Sequence, residues 1–179
     1  MARGLLIKIH LYLSAFFAPA IVLVAVSGGL YLLGVKGSVD SAPLGSAPAD
    51  TRWTVDPSKA MVQDALSSIG VVDFHFDYVK RQGAGWITRP TTRVFYGFER
   101  QGEEVQITRY TPSLQKRMME LHMGHGPSAY RQFQKLFAAG MLFIILSGVW
   151  LGLSSAQLRQ RTAIAVGAGG LVFVLLALG

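Results

Sequence analysis

Three long apolar runs separated by one polar block set the pattern of this chain. Leu11–Leu33, Leu136–Leu153 and Ala163–Gly179 carry no charged side chain. A helix needs roughly 17–25 residues to cross a bilayer core, and each run reaches or approaches that length. The first run is longer than the roughly 7–15 apolar residues of a cleaved signal peptide. A small-residue site, Ala47-Pro48-Ala49, exists but lies well past its end. The run therefore reads as an uncleaved signal anchor. Pro19 inside it removes one helix hydrogen bond and predicts a kink.

The pattern changes between the first two runs. Val35–Asp50 is rich in Gly, Ser, Ala and Pro and reads as an extended, mobile linker, with folded structure beginning near Thr51. Asp56-Pro57-Ser58 is a helix start. It predicts a helix over Pro57–Ser68 that places Ala60, Met61, Ala65 and Leu66 on one face and ends at Gly70. Val72–Arg81 then alternates, with Phe74, Phe76 and Tyr78 on one side and Asp73, His75 and Asp77 on the other. Trp86–Arg89, Arg93–Arg100 and Val105–Tyr110 read as strands, and Gln101-Gly102-Glu103-Glu104 as a hairpin turn. Thr111-Pro112-Ser113 opens another helix to about Met123, broken by Gly124–Pro127. The block is thus a helix, an antiparallel sheet of three or four strands, and a helix.

This gives a membrane protein with three transmembrane α-helices and a small α+β module. Residues 1–34 form the first transmembrane helix, 35–50 the linker and 51–127 the module. Residues 128–155 and 162–179 form the second and third transmembrane helices. Gly28, Gly29, Gly148, Gly152, Gly167 and Gly170 are small residues that let helices pack closely in lipid. Packing of the three helices on one another accounts for them, and a dimer face is the alternative.

Charge refines this picture. The net charge is +7, which on a polar surface would suggest nucleic acid. Between Asp40 and Glu120, however, ten basic residues balance all ten acidic ones. The excess is Arg3, Lys8, Lys36, Arg131, Lys135, Arg159 and Arg161, each flanking an apolar run. Lipid headgroups, not nucleic acid, are their expected partner. The N-terminal charges precede the first span, so the N-terminus is expected in the cytoplasm and the module outside. There are no cysteines, which excludes disulfides, iron–sulfur clusters and c-type haem attachment within the chain. No HExxH motif, phosphate-cradling glycine loop or nucleophile–base pairing points to hydrolysis or phosphoryl transfer.

Three motifs recur in a telling order. Ile9-His10-Leu11-Tyr12-Leu13 leads into a helix closing with Val26-Ser27-Gly28-Gly29-Leu30-Tyr31. Leu121-His122-Met123-Gly124 precedes the second run, which closes with Leu146-Ser147-Gly148-Val149-Trp150-Leu151-Gly152. The arrangement resembles the PepSY-associated transmembrane helix family over most of Lys8–Leu153. The resemblance implies a bacterial inner-membrane protein with a periplasmic PepSY-like module. Longer members of that family include haem-bearing ferric-siderophore reductases, and others accompany respiratory enzymes or uptake systems. This chain is shorter, with three runs and no histidine in the third.

The candidate chemistry lies in histidine and methionine. His10 either binds haem iron or sits at the interface with its polar edge among headgroups. Met118, Met119, His122, Met123 and His125 form the densest constellation, with imidazole and thioether donors that suit haem or Cu(I). The alternative is methionine filler at an interface and a helix-capping histidine. A bilayer core about 30 Å thick separates His10 from His122, so haem b would take its second ligand from another subunit. His75 reads as a residue of a solvated sheet face. Arg89, Arg93, Arg100 and Arg109 form either an anion-binding face or surface pairs with Glu99, Glu103 and Glu104. The expected function is an accessory subunit of an inner-membrane respiratory or redox complex, with other membrane subunits or a second copy as partner. A haem-b electron-transfer protein is the alternative, and copper handling at the periplasmic face a further one.

Overall fold

The computed structural model describes residues 2–49, 53 and 56–179. The expected start of folded structure at Thr51 lies outside the described residues. Two compact units form, one from Met1–Ile21 with Lys135–Gly179 and the other from Val22–Gln134.

The first unit is helical. It holds most of α1 (Ala2–Leu32), most of α4 (Ser128–Leu153) and all of α5 (Arg159–Leu178). These three helices are long and apolar enough to cross a membrane. α1 continues through Pro19. Within the unit α1 and α4 run antiparallel, because rising positions on one meet falling positions on the other. The Arg3 Nη2 atom reaches the Leu151 carbonyl, His10 meets Ser147, and Phe17 packs on Phe137. Phe17 is buried and lies over Gly140, where a Cβ would fall 2.2 Å from its ring. None of the residues of α5, all of them described, is buried. Large apolar side chains such as Leu142, Leu146, Phe173 and Leu176 stand exposed, a surface suited to lipid.

The second unit is built on a five-stranded antiparallel sheet of order β1-β5-β4-β3-β2. Its strands are β1 (Val39–Pro48), β2 (Tyr78–Gln82), β3 (Gly85–Arg89), β4 (Phe95–Gln101) and β5 (Glu104–Pro112). α2 (Lys59–Ser68) covers one face. Val62 and Leu66 of α2 pack with Trp53, Phe76, Trp86, Tyr96, Phe98, Val105 and Ile107 to form the core. The Ser58 hydroxyl caps α2 by accepting from the Met61 N–H, and Pro57 lies just before it. α3 (Leu114–His122) follows β5, capped by Ser113 through the Lys116 N–H.

Two expectations change. Val39–Pro48, read as linker, is strand β1, paired with β5 from Val39↔Pro112 to Pro48↔Glu104. It is an edge strand held by backbone hydrogen bonds. Such a strand tolerates Pro43 and Pro48 and needs no apolar alternation, so composition conceals it. A register shift at Pro43/Gly45 marks a bulge. The sheet accordingly has five strands, not three or four. Within Val72–Arg81, pairing begins only at Tyr78. Phe74 and Phe76 still turn toward the core, but β3 ends at Arg89, before Pro90, so the earlier residues have no partner strand.

Candidate functional site: two serine-clasped histidines

Each Ser-Gly pair near a helix end receives a histidine from a distant segment. In the first unit the His10 Nδ1 atom lies 2.8 Å from the Ser147 Oγ atom, with the imidazole Cε1 against Gly148. In the second unit the His122 Nδ1 atom lies 2.8 Å from the Ser27 Oγ atom, with its Cε1 against Gly28. Ser27 and Ser147 are both buried. The glycine next to each serine leaves room for the ring.

The hydrogen bonds assign the His122 tautomer. The Ser27 hydroxyl has one proton, and the Leu23 carbonyl oxygen lies 2.6 Å from its oxygen. Two bare oxygens at that distance repel, so the proton must point to Leu23. Ser27 is then the acceptor and the His122 Nδ1–H the donor. In the neutral ring this leaves the His122 Nε2 atom with a lone pair, and no hydrogen-bonding group among the described residues reaches it. The Ser147 hydroxyl likewise bonds the Ile144 carbonyl, at 3.1 Å, and the longer contact fixes His10 less tightly. The Leu121 carbonyl beside His122 accepts from the Gln134 Nε2 atom at 2.6 Å.

His122 lines an apolar hollow of about 390 Å³ with Gly28, Tyr31, Leu32, Met119 and Met123. Met119 is buried and Met123 is exposed. Met118 and His125 do not line it. The structure therefore brings His122, Met119 and Met123 together and sends His125 elsewhere. The His125 Nδ1–H donates to the Glu120 Oε2 atom at 2.7 Å. Burial resists ionisation of Glu120 more than any single partner favours it. Hydrogen bonds from Thr91, Lys116 and His125 together win, and hold its carboxyl below the ordinary 4.5. No group of three or more His, Cys, Asp or Glu placed to hold a metal ion occurs among the described residues.

Of the other expected residues, His75, Arg93 and Arg109 line one open hollow of about 270 Å³, while Arg89 and Arg100 lie apart from it. His75 is exposed beside Asp73. Arg100 turns back on the Gly102 carbonyl, Arg93 pairs with Asp77, and Arg109 is exposed. Arg89 is buried. Gly28 and Gly148 seat the histidines, Gly152 lies against Thr162, and Gly29, Gly167 and Gly170 have open space beyond them. Sequence reasoning missed Ser27 and Ser147 as histidine partners, although a lone hydroxyl in an apolar span next to glycine is a readable signal. It also missed Gly140, signalled by the small-residue run Ala138-Ala139-Gly140, and the buried Arg89–Glu120 pair.

Comparison with protein-family models, characterised proteins and solved structures gives no match to this chain.

Proposed function

We propose that the chain is an integral protein of the bacterial inner membrane, with its N-terminus cytoplasmic and its PepSY-like module periplasmic. In this reading it is an accessory subunit of a respiratory or redox complex. The observation that carries it is α5, a helix long and apolar enough to span, wholly unburied, with open space beyond Gly167, Gly169 and Gly170. Small faces of this kind seat neighbouring helices in lipid, where close approach rather than hydrophobicity drives association. His10 and Ser27 of α1 and Ser147 of α4 are already paired in the serine–histidine bonds, so these three groups need no partner subunit. The test is cross-linking in native membranes followed by native gels. A Gly167→Leu/Gly170→Leu variant should release the partner while remaining folded. A partner that is a second copy points to the homodimer. Unchanged assembly in the variant removes the reading.

The second reading, haem b, is favoured by the His122 Nε2 lone pair beside an apolar hollow. The residues fit in donor chemistry: imidazole from His122, thioethers from Met119 and Met123, and a ring orientation fixed by Ser27. Haem would supply one-electron transfer. The chain's own residues would hold the ring, keep the site apolar and set the tautomer. A further donor to the iron would come from Met119 or Met123 or from another subunit. A Soret band in purified protein that disappears in His122→Ala supports this reading, and colourless wild-type protein removes it. The same hollow offers a thioether and imidazole set for Cu(I), and metal analysis after purification separates the two.

A further inference from the structure

The face of the sheet away from α2, where α3 lies beside it, carries a second polar site, separate from the clasped histidines. Arg89 of β3 lies there with its side chain 7% exposed. Its Nη1 atom donates to the Thr91 Oγ1 atom at 2.8 Å and leans on the Glu120 Oε2 atom at 3.5 Å. Its Nε atom is buried with no acceptor. No acceptor among the described residues reaches Nη2 either. The guanidinium thus spends one nitrogen inside the protein and leaves the Nε–Nη2 edge unused. That edge is the one that pairs side-on with a carboxylate.

The surroundings fit such a ligand. Arg89, Lys116 and His125 line a cavity of about 380 Å³ whose apolar wall includes Ile87, Phe95 and Tyr110. The Phe95 and Tyr110 rings are stacked, 5.0 Å between centroids. Lys116 Nζ lies 3.0 Å from the Glu120 Oε1 atom. Arg89 and Lys116 supply two positive charges and Glu120 one negative charge. Arg89 and Glu120 are buried and Lys116 is part-exposed, so with His125 neutral the cavity keeps a net positive charge that suits an anion. A second hollow of about 550 Å³ shares Gln82, Ile87 and Tyr110 with the first and extends over Gly97. It gives an elongated ligand somewhere to run.

We infer that this face binds an organic monocarboxylate with an apolar body, its carboxylate on Arg89 and Lys116 and its body against Phe95 and Tyr110. A small swing of the guanidinium into the cavity gives both Nε and Nη2 an acceptor. The ligand is either a free small acid or the C-terminus of a peptide chain, since both present the same group.

The experiment is calorimetric titration of the full chain in detergent. The probes are 4-phenylbutyrate and its carboxamide, and an N-acetylated apolar tripeptide with a free or an amidated C-terminus. Each acid should bind at least about tenfold more tightly than its amide, the loss expected when a charge-assisted pair is removed. Tight binding of phenylbutyrate marks the free acid as the ligand, and binding of the peptide acid alone marks a chain terminus. Arg89→Lys should abolish the preference for the acid. Lys116→Met, at a half-exposed position that leaves the core intact, should weaken acid binding severalfold and decides the matter if Arg89→Lys does not fold. Equal binding of acid and amide overturns the inference. So does saturable binding by neither, or unchanged acid affinity in Lys116→Met.

Discussion

At the residue scale, single hydrogen bonds carry definite chemical states. The 2.6 Å contact from the Ser27 hydroxyl to the Leu23 carbonyl makes His122 an Nδ1–H imidazole. Long-range nitrogen–proton NMR of histidine-labelled protein, at a pH where the ring is neutral, should therefore show a protonated Nδ1 and a bare Nε2 at His122. The opposite assignment defeats the geometry. Ser27→Ala removes the acceptor, should relax the tautomer toward a mixture, and should cost about 1 kcal/mol, the usual worth of one internal hydrogen bond. Two carboxylates give a pH signature. The Ser128 backbone N–H and hydroxyl both donate to Asp77, and with Arg93 and Lys59 they hold its carboxyl below the ordinary 3.8 despite some burial. Glu120 is likewise held below its ordinary value. A depressed folded-state value adds stability that is full above the unfolded value and is lost as pH falls through the folded one. Thermal stability should thus be flat above about pH 5 and fall steadily below pH 4.5. Asp77→Asn should lower stability at neutral pH and flatten that acid limb, as read by fluorescence of the core residues Trp53 and Trp86. An acid limb identical to wild type in both Asp77→Asn and Glu120→Gln would refute the assignment.

At the element scale, helix approach is set by what lies opposite each glycine. A Cβ at Gly140 would fall 2.2 Å from the buried Phe17 ring, at Gly148 3.2 Å from His10, and at Gly28 3.6 Å from His122. Overpacking costs about 1–3 kcal/mol where the neighbour cannot yield, and Phe17, 2% exposed, has little room to move. Gly140→Ala should therefore loosen the α1–α4 contact strongly, Gly148→Ala slightly and Gly28→Ala hardly at all. Melting temperatures of the three variants in one detergent check the order, and a Gly28→Ala loss equal to that of Gly140→Ala contradicts it. The same physics decides what could be read in advance. α1, α4 and α5 were legible because apolar length alone marks them, and α2 and α3 because Asp56-Pro57-Ser58 and Thr111-Pro112-Ser113 are local start signals, although the cap of α2 is Ser58 and not Asp56. β1 was not, since an edge strand of Gly, Pro and Ser announces itself only through its partner, as far off as Val39 from Pro112. The histidines were visible as residue types, but their serines lie 137 and 95 residues off in the chain. Nor could the sequence reveal that Arg89 is buried, because alternation on β3 looks the same for a salt-bridged surface arginine.

At the scale of the whole molecule, connectivity constrains orientation. The sheet unit is entered from α1 through the short stretch Leu33–Ser38 and left through Met123–Pro127 into α4. If α1 and α4 span a bilayer, both short connections lie on the side that holds the sheet. The opposite ends of the helices, with Arg3, Lys8, Arg159 and Arg161, then share the other side. Lys36, Arg131 and Lys135 remain with the sheet, so the count is four against three. The rule that positive charge stays inside weighs charges close to the first span most heavily, and under the proposed function Arg3 and Lys8 are cytoplasmic and the sheet periplasmic. Exposed Lys80 and Arg81, at the end of β2 before the turn into β3, are the natural trypsin target. Intact spheroplasts should lose the sheet unit to trypsin at these sites while inverted vesicles protect it. A Lys80→Gln/Arg81→Gln variant should slow cleavage without altering the side on which it occurs. Protection in spheroplasts with cleavage in inverted vesicles would move the sheet, and with it the Arg89 cavity, into the cytoplasm. Any carboxylate bound there would then be drawn from the cell interior instead of the envelope.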